Sequence, residues 1–247
     1  VTERRLHWDA CLNVRDLGGH ATEDGGSTRF RSIVRADNLA GLTDEGWRAA
    51  LDYGVATVID LRTPEERDAD PSRDVPIAAL HVPAFGCWNE KISSEIDAIS
   101  DGHAEPADST TAVYLEFLER FGSNFAAAVA AVGQAAEGAV VVHCQGGKDR
   151  TGLLAALLLR LAGVPIAEIA EDYSLSEKYL LPRHERWFAD AADEADLARL
   201  RRIAATPAEA MRRVLEELER RHGTVAAYLE TSGATREDLE RARARLR

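Results

Sequence analysis

This chain of 247 residues is poor in cysteine, has no long apolar run and carries no excess of positive charge. Each shortage excludes something. Three cysteines, Cys11, Cys87 and Cys144, are too few and too scattered for a disulfide framework or a zinc-binding pattern. Unpaired thiols suit a reducing compartment. The clearest apolar run, Leu153 to Leu159, ends at Arg160, well short of the roughly 18 residues of a membrane-spanning helix. No transmembrane segment is expected. The opening Thr2-Glu3-Arg4-Arg5 is charged with no apolar stretch behind it. No signal peptide is therefore expected, and the cytoplasm is the default location, with leaderless secretion compatible. A formal net charge of −12 opposes partnership with nucleic-acid backbones or anionic membranes. His7, His20, His81, His103, His184 and His222 lack ligand spacing, so the expectation is no metal and no cofactor.

What is present is concentrated in ten residues, His143-Cys144-Gln145-Gly146-Gly147-Lys148-Asp149-Arg150-Thr151-Gly152. The apolar run Ala139 to Val142 reads as a buried strand, and Gly152 to Leu161 as an apolar helix. Strand, Gly-rich turn and helix place Cys144 at a helix N-terminus, where backbone N–H groups and the helix dipole favour negative charge. Only a thiolate attacks, and that setting stabilises it. Gly146 and Gly147 let successive N–H groups turn inward as an anion cradle spanning Gln145 to Thr151. Arg150 offers a planar fork for two phosphate oxygens. Thr151 is placed to hydrogen-bond the sulfur, and His143 to orient the loop. The implied chemistry is displacement by sulfur at phosphorus, giving a phosphocysteine that water hydrolyses. A buried core cysteine would not come with this turn and this arginine. A nucleotide P-loop fails because Asp149 follows Lys148 where Ser or Thr is required. A sulfurtransferase loop lacks the Lys-Asp-Arg-Thr-Gly continuation.

The ten residues resemble the His-Cys-x-x-Gly-Lys-Asp-Arg-Thr-Gly loop of the bacterial tyrosine-phosphatase-like, dual-specificity and lipid phosphatases. Further blocks resemble the same family: Asn13-Val14-Arg15-Asp16-Leu17-Gly18-Gly19, Arg35-Ala36-Asp37-Asn38-Leu39, Val58-Ile59-Asp60-Leu61-Arg62, and Asp172-Tyr173 with Ser176. The closing stretch Gly223 to Leu246 also matches. Many tyrosine phosphatases carry an acidic residue on a mobile loop after the strand that corresponds here to Ala78 to Val82. This chain has Pro83-Ala84-Phe85-Gly86-Cys87-Trp88 there and no carboxylate before Glu90. The resemblance instead implies acid/base work for Asp149. Asp60, at the end of its strand, is the second candidate, either catalytic or paired with Arg62 or Arg150. The resemblance to lipid phosphatases implies that Lys148 contacts a second substrate phosphate. Arg62 is a further candidate phosphate contact, and Cys87 a candidate resolving thiol.

The expected fold is α/β, a central, mainly parallel, twisted sheet of four or five strands flanked by helices, in one domain over 1–247. Segments 86–110 and 177–203 are candidate lid or substrate-recognition regions; the first shows little periodicity and reads as a mobile loop. Gly19 to Ala21 and Arg29 to Arg35 read as a hairpin, Ala56 to Leu61 and Ala78 to Val82 as strands. Thr43 caps a helix through Asp52, and Thr63-Pro64-Glu65-Glu66 opens another. A long helix covers about 111–136 with a break near Gly122, and Pro165 opens one reaching about Asp172. Thr206 with Glu209, and Thr235 with Asp238, read as capping boxes. The family resemblance implies as substrates a phosphorylated protein (tyrosine or dual specificity) or a phospholipid of the phosphoinositide type. The rival is a small-molecule phosphate ester such as a nucleotide, sugar phosphate or biosynthetic intermediate. An inactive phosphate-binding module would have no use for the thiol.

Overall fold

The structure, a computed structural model, describes residues 3–71, 73 and 75–247. Five strands form one sheet: β1 (Arg15–Asp16), β2 (Ile33–Ala36), β3 (Val55–Asp60), β4 (Ala78–His81) and β5 (Ala139–His143). Their order is β1-β2-β5-β3-β4, parallel throughout except for the antiparallel edge strand β1. The expected α/β sheet is what forms.

Alternation along the strands builds two cores. Val140 and Val142 of β5 face one side with Ile33, Ile59 and Leu61, under helices that include α4 (Pro106–Gln134) and α5 (Arg150–Leu161). Ala139 and Val141 face the other side with Val34, Ala36 and Val58, where Trp47 of α1 (Asp44–Asp52) covers them. β5 is thus buried on both faces, which explains its uninterrupted apolar run. Its C-terminal end is fixed from both sides, and the loop that follows starts from a rigid platform.

The caps expected at Thr43 and Thr235 form. Thr43 accepts from Gly46 N at the start of α1, and Thr63 with Glu66 forms a capping box on α2 (Pro64–Ala69). Thr235 and Asp238 do the same for α10 (Arg236–Leu246). α4 kinks at Phe121, where Tyr228 OH donates to the Leu118 carbonyl at 2.8 Å.

Four expectations are corrected. The hairpin over 19–35 is displaced: Arg15–Asp16 pairs with Val34–Arg35, and Ala21 with Ser27 makes only an isolated bridge. Asp16 closes the wide loop instead, accepting from Gly18 N at 2.6 Å and Arg31 N at 2.7 Å. Segment 86–110 is helical, with α3 (Glu90–Asp101) capped by Asn89 and the first turn of α4 behind it. Ile92, Ile96 and Ile99 form its inner stripe among many polar residues. α6 (Ile166–Ala189) runs past Asp172 and through Pro182, because an internal proline removes only one intrahelical bond when packing holds both flanks. α7 (Glu194–Ala204) follows, then α8 (Ala208–His222) and α9 (Val225–Thr231). The Thr206–Glu209 box does not form. Thr206 Oγ1 instead donates to Ser174 O and accepts from Glu177 N, each at 3.0 Å, tying α8 to α6.

No helix among the described residues is long and apolar enough to cross a membrane.

Candidate active site

Residues 144–149 leave the end of β5 and re-enter as α5, so the loop sits at a helix N-terminus as expected. Cys144 is buried, 2% exposed. Two backbone carbonyls of the loop are held from outside. Gly147 O accepts from Asn13 Nδ2 at 3.0 Å and from Arg35 at 2.9 Å. Gln145 O accepts from Asn38 N at 3.3 Å and Arg183 at 3.2 Å. The amide N–H groups of 145–149, by contrast, have no acceptor among the described residues. Carbonyls satisfied on one side and amides left open on the other make an anion-binding concavity. Gly147 is required for it: its φ is +64°, and a Cβ there would lie 2.5 Å from Ala36 O.

The bracing reaches into a buried ionic cluster. Asp172 of α6 binds Arg15 Nε at 3.1 Å and Arg35 at 3.0 Å, and Ser176 accepts from Arg15 at 3.2 Å. Burial opposes the Asp172 charge, but the two guanidinium groups overcome it and hold the carboxyl far below its ordinary range. Burial, with Arg15 beside it, lowers Arg35 to about 10. Asp37 accepts from Asn13 N at 2.8 Å and from Arg183 at 2.6 Å. The blocks around Asn13, Arg35 and Asp172 thus meet at one place, behind the loop.

Arg150 is gripped by Glu66, with Nη2 donating to Oε1 at 2.8 Å and Nη1 donating to Oε2. Despite burial, that pairing keeps the guanidinium firmly charged. Its face lies 5.2 Å from the Phe85 ring centroid, and Phe85 in turn packs on Phe117 and Trp88. Glu66 was not among the sequence candidates; its signal was the Thr63-to-Glu66 capping pattern, which it completes while also holding Arg150.

Asp149 is not spent on capping α5. Its carboxylate is 41% exposed, accepts from Tyr114 OH at 2.7 Å and lies 3.3 Å from Lys148 Nζ. Tyr114 OH also shares a 2.8 Å hydrogen bond with Tyr173 OH. Both tyrosines are pushed well above the ordinary phenol range, first by burial and then by the Asp149 charge. Tyr114 had no signal in the sequence beyond an aromatic in an apolar helix. Asp149, Arg150 and Lys148 line one cleft of about 230 Å³, together with Phe85, Ile96, Tyr114, Phe117, Arg202 and Ile203. Segments 86–110 and 177–203 both contribute to its walls.

Other candidates lie elsewhere or are engaged differently. Asp60 is not among the residues lining this cleft: its carboxylate accepts from Arg62 N and Nε at 3.0 Å and Nη2 at 2.7 Å. Burial works against its ionisation, but Arg62 outweighs that and lowers the carboxyl. The expected pairing of Asp60 with Arg62 is the one formed; Glu66 takes the place beside Arg150. Arg62 is fully buried and bonded to Asp60 and Asp70 O. Lys148 does not project freely: its ammonium donates to the Ile203 carbonyl in the last turn of α7. His143 lies 3.4 Å from Cys144 O through Nδ1, with Nε2 3.7 Å from Asp60, and burial lowers it to about 4. Thr151 Oγ1 is buried without a hydrogen-bond partner among the described residues, so the expected bond to sulfur is not made. Cys87 is exposed, and Cys11 is a buried thiol 2.8 Å from Asp37.

The profile described as the tyrosine phosphatase family matches residues 6–247. The chain is 30% identical to a tyrosine-protein phosphatase of Nostoc commune over 224 residues, covering 87% of this chain and 74% of that one. It is 25% identical to the triple specificity protein phosphatase PtpB of Mycobacterium tuberculosis over an alignment of 266 positions, covering 94% and 95% respectively. The chain is a phosphatase that belongs to the tyrosine phosphatase family.

Proposed function

We propose that the protein hydrolyses phosphate monoesters through a phosphocysteine on Cys144. The observation that carries this is the loop itself: Cys144 directly follows β5, the amides of 145–149 are open, and Arg150 is braced by Glu66. The thiolate attacks phosphorus and the bond to the leaving oxygen breaks. Asp149, in its acid form, gives that oxygen a proton. Arg150 and the loop amides hold the equatorial oxygens as charge develops. In the second step water attacks phosphorus and passes a proton to Asp149. The S–P bond breaks, returning the thiolate. Tyr114 and Tyr173 position Asp149 over the cleft. Glu66 keeps Arg150 flat. Asp60, fully bonded to Arg62, plays no part in proton transfer.

The aromatic and aliphatic cleft walls favour a phosphorylated tyrosine of a protein, or another aryl phosphate, over a sugar phosphate. Phosphoinositides and small biosynthetic phosphates are the rival substrates. Turnover of p-nitrophenyl phosphate, a phosphotyrosyl peptide, a phosphoinositide and nucleoside monophosphates by the intact protein and by Cys144→Ser tests the reading. Loss of all activity in the variant is expected. Activity surviving in Cys144→Ser would reject the nucleophile, and a preference for nucleotides would reject the aryl substrate.

A further inference from the structure

The wall of the cleft carries a cation that the phosphate-handling residues leave unused. Lys148, the loop cation that sequence pointed to for a second phosphate, is bound to the Ile203 carbonyl and faces Asp149. Arg202, the neighbouring residue on α7, also lines the cleft, beside Ser100, Ser109 and Thr110. One guanidinium nitrogen pairs with Asp101 of α3, whose side chain is 62% exposed. Its Nε–H is buried and has no acceptor among the described residues. A buried, charged donor left unmade is costly, and its most direct compensation is an anion arriving in the cleft. Arg150 and Arg202 both line the cleft, together with the apolar side chains Phe85, Ile96, Val113 and Phe117. Charge, apolar slot and charge again describe the complement of a substrate: a phosphate, a flat or apolar spacer and a second anionic group.

We propose that Arg202 is a specificity-determining residue that reads a second anionic group, carboxylate or phosphate, on the leaving-group side of the substrate. This rests on the phosphomonoesterase reading. The guanidinium has further N–H groups beyond the one on Asp101, so an incoming anion binds without displacing that carboxylate. The acid on the cleft wall besides Asp149 is Asp97, which is exposed and therefore screened.

The test separates binding from turnover. Phenylphosphonate and 4-carboxyphenylphosphonate are titrated into the wild-type protein, Arg202→Gln and Arg202→Lys. A charge-assisted bond predicts that the wild type holds the carboxylated compound about tenfold more tightly. Arg202→Gln should erase that preference while binding phenylphosphonate as before, and Arg202→Lys should restore part of it. Equal affinity for both compounds in the wild type, or equal loss of both in Arg202→Gln, would overturn the subsite. Turnover of benzene-1,4-bisphosphate, and of phosphotyrosyl peptides with acidic or neutral neighbours, identifies the source of the second charge. An advantage of bisphosphate or acidic peptide that vanishes in Arg202→Gln supports the proposal; turnover of these substrates with no advantage for either overturns it. A carboxylate preference without any phosphatase turnover would instead reject the phosphomonoesterase reading and leave the subsite standing.

Discussion

At the scale of single residues, the site depends on side chains with two duties. Glu66 closes the capping box of α2 and holds Arg150. Glu66→Gln keeps a capping acceptor but removes the charge. Stability by denaturant titration should change by less than about 1 kcal/mol, while kcat/KM falls on the order of tenfold or more. An unchanged kcat/KM would mean that Arg150 needs no carboxylate to stay in place. Gly147 is the opposite kind of residue, defined by having no side chain. Gly147→Ala sets a Cβ against Ala36 O and Asp37 N at 2.5 and 2.6 Å, at a φ of +64°. Destabilisation of about 2 kcal/mol or more is expected, with loss of phosphate binding seen by titration with inorganic phosphate. The loop's place between β5 and α5 and its turn at Gly147 were legible because a strand, a Gly-rich turn and a helix follow one another there in the sequence. Tyr114 and Glu66 were not, because each works through a contact made only when distant segments meet.

At the scale of elements, β5 and α5 fix the loop from within, and α6 fixes it from behind. Asp172 on α6 is the hub, buried among Arg15, Arg35 and His20. Asp172→Asn leaves two buried arginines short of a counter-charge. Unfolding free energy should drop by about 3–5 kcal/mol, measured by urea denaturation. A drop below about 1 kcal/mol would show that the cluster is not the brace described here. The sheet was readable because β3 and β5 are apolar runs of strand length between turn signals. α3 escaped because its isoleucine stripe lies among serines and acids that read as loop. The extension of α6 escaped because Pro182 signals an end that tertiary packing overrides.

At the scale of the whole molecule, pH couples the core to the site through His143. Its imidazole is buried and lowered from 6.5 to about 4. Between those values the unfolded chain binds a proton that the folded protein refuses. Stability is therefore full above about pH 6.5 and falls as pH drops toward 4, by on the order of 3 kcal/mol from this group. Denaturant midpoints across that window should show the decline, and His143→Gln should flatten it. An equally steep decline in the variant would assign the effect to other groups.

Covalent chemistry at one sulfur is the centre of the proposed mechanism. Rapid acid quench during turnover of p-nitrophenyl phosphate, followed by mass spectrometry of the proteolysed protein, tests it directly. The prediction is a phosphoryl group on the peptide bearing Cys144, accumulating further in Asp149→Asn because water then lacks its proton acceptor. Sustained turnover with no phosphoryl group on that peptide, or with one on another residue, would contradict it.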